Sequence, residues 1–218
     1  MLFDWATVVQ SLPALLRAAG TTVWLSVLAI FFGMALGTLL GVIRAFAPSY
    51  LSVIAQLYIG LIRGTPLVVQ IMFFYFALPM LMGIRLSATT AGLIALIANS
   101  AAYLAEIVRG GFLAVPKGLK EAGLAMGLPL HKVISSIIAP VAFRGMIPAL
   151  GNQFIIGVKD TSLLIVIGVA ELTRTGQEIM TQNYRAVEIW FTVAAIYLII
   201  LSVLSYSLRW VEQKVRIS

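Results

Sequence analysis

Long apolar runs separated by short polar intervals set the pattern of this chain. Thr21–Ile43 is uncharged and bounded by Arg17 and Arg44, long enough to cross a bilayer as a helix. Leu51–Met82 is too long for one straight span and is cut by Arg63-Gly64-Thr65-Pro66. Proline has no N–H and disfavours helix in the residue before it, so a kink or break is predicted there. Leu86–Val108 is a third span, with Asn99 inside it and Glu106 near its end. A fourth apolar region follows the polar stretch Arg109–Lys132. It holds Pro140 and Pro148, and Lys159-Asp160-Thr161-Ser162 interrupts it before Leu163–Ala170. Ile189–Leu208 is the last span.

The segments between are distinctive in their own right. Residues 1–19 place Phe3, Trp5, Val8, Val9, Leu12 and Leu15 at helical spacing over a length too short to span, which predicts an interfacial helix. Gly33, Gly37 and Gly41 recur every four residues. They make either a groove for close helix approach or glycines merely tolerated in a membrane helix. Within the polar stretch, Pro116 suits a helix start and Gly127 followed by Pro129 suits a stop, so Lys117–Met126 is predicted as a short helix. A second short piece, roughly Leu130–Ile138, leads back toward the membrane. Glu171–Glu188 is read as a solvated loop or short interfacial helix, and a receptor contact is the alternative.

Composition narrows the class. Hydrophobic residues make up 61% of the 218 and charged residues only 11%, against about a quarter charged in soluble domains. The expectation is therefore one all-α transmembrane domain, residues 1–218, with five spans. A net charge of +7 does not indicate nucleic acid, because the basic residues flank apolar runs. With the N-terminus outside, the inner face carries Arg44, Arg109, Lys117, Lys120, Lys132, Arg209, Lys214 and Arg216. The outer face carries Arg17, Arg85, Arg174 and Arg185. That bias predicts N-terminus out, C-terminus in, and the polar stretch in the cytoplasm. No internal repeat is evident.

Catalytic arrangements are missing. There is no phosphate-cradling G-x-x-x-x-G-K-[ST], no H-E-x-x-H and no G-x-S-x-G. A single His (His131) and no Cys leave no metal site and no cofactor to expect. Glu106 and Arg109 lie three apart and can pair across one helical turn. Such a pair suits a structural clamp, with an inner gate as the alternative.

The stretch Leu119–Pro140 reads Glu121-Ala122-Gly123, then Gly127, then Ile138-Ala139-Pro140. It resembles the EAA loop through which ABC-transporter permeases dock on a cytoplasmic ATPase. Further matching runs are Arg63–Gln70, Tyr103–Gly110, Gly151-Asn152-Gln153 and Lys159–Leu163. Together they are similar to the polar amino-acid uptake branch of type I ABC importers, and most of all to its glutamine permease subunits. The resemblance implies a five-helix permease in the bacterial inner membrane, pairing with a second copy, two ATPase subunits and an extracytoplasmic amino-acid receptor. It makes residues 116–138 the coupling loop, with Lys120, Glu121, Ala122, Gly123, Gly127 and Pro129 at the ATPase contact. The small residues there would leave room for the partner.

Charges within apolar runs need a partner or a wet cavity. For a zwitterionic substrate, Asp160 would take the ammonium, and Arg63 or Lys159, with Thr65, Thr161 and Ser162, the carboxylate. Gln70, Asn152 and Gln153 are candidates for a side-chain amide. The alternative is internal pairing, of Arg63 within the fold and of Lys159 with Asp160. An ion-coupled secondary transporter is the rival function.

Overall fold

The computed structural model describes residues 3–216. Met1, Leu2, Ile217 and Ser218, the outermost residues of the expected N-terminal helix and basic tail, lie outside them. Eight helices and no strand occur among the described residues: α1 (Trp5–Phe46), α2 (Ser49–Arg63), α3 (Leu67–Met82), α4 (Ala88–Leu113), α5 (Lys117–Ala125), α6 (Leu130–Ile167), α7 (Leu172–Asn183) and α8 (Ala186–Arg216).

Helix α1 corrects the first expectation. Residues 1–19 do not form a separate short helix, because the chain runs unbroken from Trp5 to Phe46 with Pro13 inside it. Asp4 caps the start, accepting from the Ala6 N–H at 2.9 Å. At about 1.5 Å per residue the helix is roughly 63 Å long, twice the bilayer core of about 30 Å. Its first turns find a polar and apolar setting within the fold. Leu15 and Ala19 pack with Leu172, Ile189, Val193 and Ile196 of α7 and α8.

The glycine series is a seam. A Cβ added at Gly33 would stand 2.8 Å from the Cβ of Ser100, one at Gly37 2.7 Å from that of Leu104, and one at Gly41 2.6 Å from that of Val108. Only glycine lets α1 come this close to α4. The paired numbers rise together, so α1 and α4 run parallel. The chain between them must therefore return to its starting side, and the α2–α3 pair makes that crossing. The helix direction bends by 103° across the Arg63–Pro66 break.

With α6 and α8 this gives the five expected spans. Helix α6 runs antiparallel to α4, with Gly92 beside Leu164 at one end and Gly111 beside Met146 at the other. Helix α8 follows α1 in the same direction: Phe3 meets Phe191, and Val27 and Phe31 share a groove with Ile200 and Val203. The described termini consequently lie at opposite ends of the bundle.

Two prolines leave a mark on the spans. Leu78 N–H reaches back five residues to the Phe73 carbonyl, and Ala139 N–H does the same to Ile134. These wide turns stand just before Pro79 and Pro140, whose rings would clash with a carbonyl four residues back. At Lys159–Ser162, where an interruption was expected, the helix continues and tightens into a narrow turn over Thr161–Ile167.

The segment Glu171–Glu188 is less solvated than expected. Glu171 is fully buried and caps α7, accepting from Thr173 N–H at 3.0 Å and Arg174 N–H at 2.7 Å. Tyr197 O–H adds a third donor at 3.0 Å. Glu188 is buried too and accepts from the Asp4 N–H at 3.1 Å, tying the head of α1 to α8.

Candidate functional site

The α2–α3 break opens a polar cavity inside the bundle. Helix α2 ends at Arg63 and α3 starts at Leu67, since Pro66 cannot donate the hydrogen bond that would join them. The freed carbonyls are gathered up by Gln70. Its Nε2 donates to Ile62 O at 2.7 Å and to Thr65 O at 3.0 Å, while its Oε1 accepts from Asn99 Nδ2 at 3.2 Å. Gln70 is thus buried and occupied behind the break, stitching it to α4; it does not line the cavity.

The cavity holds about 520 Å³ and is walled by the break itself, by Asn99 and Tyr103 of α4, and by Gln153, Ile156 and Asp160 of α6. Four of the residues picked from the sequence meet there: Arg63, Thr65, Gln153 and Asp160. Thr65 spends its hydroxyl on Leu61 O at 2.9 Å. The side chain of Asp160 has no hydrogen-bond or ion-pair partner among the described residues.

The other candidates go elsewhere. Thr161 is fully buried and donates to Val158 O at 2.7 Å, and Ser162 donates to Lys159 O at 2.7 Å. Lys159 is exposed and outside the cavity, and no ion pair joins it to Asp160 among the described residues. Asn152 lines a separate cleft with Ser205, Arg209 and Glu212.

Asn99 and Tyr103 received no role from sequence alone. Their spacing of four, continued to Glu106 three further on, puts all three on one face of α4 and could have found them. Gln153, Ile156 and Asp160 share a face of α6 in the same way, at spacings of three and then four.

Below the cavity Glu106 draws three arginines together. Arg109 grips it from the same helix at 2.8 Å and 3.1 Å. Arg44 of α1 stands 3.7 Å away and Arg63 of α2 3.8 Å away. Arg63 pairs within the fold, and 43% of its side chain stays exposed on the cavity wall. The ring of Tyr103 lies 5.3 Å from its guanidinium carbon.

At the end of the bundle where α1 and α4 finish, α5 (Lys117–Ala125) is the short helix expected from the Pro116 and Gly127 signals. Gly127 takes a left-handed φ of +79°, and Leu128 N–H closes the turn on Gly123 O at 3.3 Å. Lys120, Glu121 and Ala122 are exposed, as are Gly127 and Pro129. Gly123 is not, which revises the reason for its size. A Cβ there would sit 2.9 Å from Ile137 Cδ1 and 3.0 Å from Val133 Cγ2, so the glycine lets α5 press on its own return helix. His131 is exposed, and no cluster of metal-ligating side chains occurs among the described residues.

A bundle of parallel and antiparallel spans, a cavity at a broken helix and a projecting helical loop at one end define a membrane transport subunit. Over residues 33–217 the chain matches, and belongs to, the family of binding-protein-dependent transport system inner membrane components. It is 50% identical over 218 residues, all of both chains, to the glutamine transport system permease protein GlnP of Escherichia coli K12. It is 33% identical to the arginine transport system permease protein ArtQ of Bacillus subtilis, with 99% of each chain covered. Among solved structures, an amino acid ABC transporter crystallised with histidines aligns with a TM-score of 0.92 at 34% identity, over 98% of this chain and 100% of that one. The methionine transporter MetNI, at 20% identity and a TM-score of 0.80, shares the fold over 93% of this chain and 96% of that one.

The chain is therefore a multi-pass inner-membrane permease of an ABC importer. It is a transport component and not an enzyme, and it works with a separate ATPase and a substrate-binding protein. The ion-coupled transporter reading falls with this assignment.

Proposed function

We propose that this permease imports glutamine by alternating access, as a homodimer on two ATPase subunits, with its N-terminus outside and its C-terminus in the cytoplasm. The full-length 50% identity to a glutamine permease carries this reading. Charge distribution supports the orientation. Arg44, Arg109, Lys117, Lys120 and Lys132 belong to the end where α1 and α4 finish, as the cytoplasmic face of a membrane protein requires. Residues 1–218 act as a single permease domain, with 116–138 as the coupling loop.

In the cavity, Asp160 receives the substrate ammonium and Arg63 its carboxylate, with Thr65 beside it. Gln153 and Asn99 face the side-chain amide. An unpaired carboxylate on α6 and a half-exposed guanidinium at the α2–α3 break line the same cavity and supply the two opposite charges a zwitterion needs. Lys159, Thr161 and Ser162 take no part, because their side chains are directed elsewhere. Reconstituted with its ATPase and receptor, the permease should show ATPase stimulation by glutamine at least about tenfold above that by any other of the twenty amino acids. Sites that hydrogen-bond a polar substrate group reject analogues lacking it by that much or more. Stronger stimulation by arginine, histidine or glutamate would overturn the substrate assignment.

The exposed Lys120, Glu121 and Ala122 face of α5 is the docking surface for the ATPase. Glu121→Lys should lower ATPase co-purification and uptake together, by roughly fivefold or more, because charge reversal at a docked surface opposes association. A pump running at full rate with this change would rule out docking through α5.

A further inference from the structure

Glu106 is shared by three arginines that belong to three different helices. Arg44 lies in the last turn of α1, Arg63 in the last turn of α2 at the break, and Arg109 on α4 just before that helix leads into the coupling loop. The three contacts are unequal. Arg109 donates to Glu106 Oε2 from Nη2 at 2.8 Å and from Nε at 3.1 Å, whereas Arg44 and Arg63 stand at 3.7 Å and 3.8 Å, beyond hydrogen-bond length. One carboxylate cannot serve three guanidiniums fully, and the group carries two surplus positive charges. Arg44 shows the shortage directly, since its Nε is buried with no hydrogen-bond partner. Arg44 is also braced from behind, donating to Gln56 Oε1 at 2.8 Å.

Arg63 is the member that faces two ways, toward Glu106 and into the cavity over Tyr103. An anionic group entering the cavity competes with Glu106 for it. The loser of that competition has another partner waiting in Arg44.

We propose that Glu106 is a positioning residue that signals cavity occupancy to the coupling helix. A substrate carboxylate takes Arg63, Glu106 turns to Arg44, and the α1–α4 pair, released from α2, tilts as a unit. Because α4 continues through Leu113 into Pro116 and α5, the tilt reaches the ATPase contact. This inference rests on the reading of the cavity as the substrate site, with Arg63 as its anion-binding group. Arg44 and Glu106 touch no substrate; they act through Arg63.

The test uses the whole complex of permease, ATPase and receptor in lipid nanodiscs, and reads the ratio of ATPase rates with glutamine-loaded and empty receptor. Glu106→Gln keeps the shape and removes the charge. The ratio is expected to fall by about fivefold or more, the low end of couplings between protein sites, with a higher rate on empty receptor. Glu106→Asp should restore part of the ratio, and Arg63→Gln/Glu106→Gln should be no worse than Arg63→Gln alone, as for two residues acting as one unit.

Arg44→Gln covers the case in which Glu106→Gln does not assemble. It leaves Glu106 with Arg63 and Arg109, and is expected to lower the ratio in the same way. A wild-type ratio in assembled Glu106→Gln or Arg44→Gln would overturn the proposal. The two readings separate cleanly. Uptake that survives Arg63→Gln removes the substrate site itself, whereas uptake lost in Arg63→Gln beside a full ratio in Glu106→Gln removes only the signalling role.

Discussion

Replacing Gly37 and Gly41 together with valine is expected to abolish recovery of folded permease. The new Cβ at Gly37 would lie 2.8 Å from the Ala101 carbonyl oxygen, and that at Gly41 2.7 Å from the Ala105 carbonyl oxygen. Both obstacles are helix backbone, which cannot swing aside as a long side chain can, so α1 and α4 must separate. Parting them also pulls Met34 of α1 off the cluster formed by Leu104, Val108, Ala142 and Met146. Overpacking costs about 1–3 kcal/mol per site, so the pair removes roughly 2–6 kcal/mol from a fold whose total stability is of order 5–15 kcal/mol. Size-exclusion profiles and thermal melting in detergent read the outcome. Gly20→Val, where an added Cβ meets nothing within 4 Å, is the control and should elute and melt like the parent. A double variant that does the same would show that the seam has slack.

Asp160→Asn should have the opposite profile, losing transport while keeping the fold. The carboxylate has no side-chain partner to leave stranded, so its neutralisation breaks nothing in the resting protein. Removing an unpaired charge from membrane depth should leave the melting temperature equal or raise it. Toward the substrate, a charge-assisted contact worth about 1.5–3 kcal/mol becomes a neutral one. Receptor-driven uptake at low substrate is expected to fall about tenfold or more. Wild-type uptake by a normally assembled Asp160→Asn complex would take this residue out of the site.

The sequence made the span pattern legible because apolar length and the cost of an unpaired backbone leave few choices in a membrane. The break at Arg63–Pro66 and the helix Lys117–Ala125 were readable for a similar reason, as proline and glycine act on their immediate neighbours. The Glu106–Arg109 pair was equally local. Facing partners were not readable. Nothing near Gly123 in sequence says that Val133 and Ile137 close over it, and nothing near Gln70 says that Asn99 and the carbonyls of Ile62 and Thr65 occupy its amide. The polarity of Thr161 and Ser162 suggested a ligand, but each hydroxyl is spent one turn back on its own helix. Residues 1–19 looked too short to span because the continuation across Gly20 could not be distinguished from a turn. Glycine is permitted in both, and the packing of Leu15 and Ala19 against α7 and α8 decides between them.

Two helices held together at peptide-group distance cannot slide along one another without lifting first over each small side chain. The α1–α4 pair therefore behaves as a single stiff beam. A push delivered at Leu113 is not dissipated as shear within that beam but reappears as a tilt at its far end, and the looser, sharply bent arm of α2 and α3 is left as the part that yields.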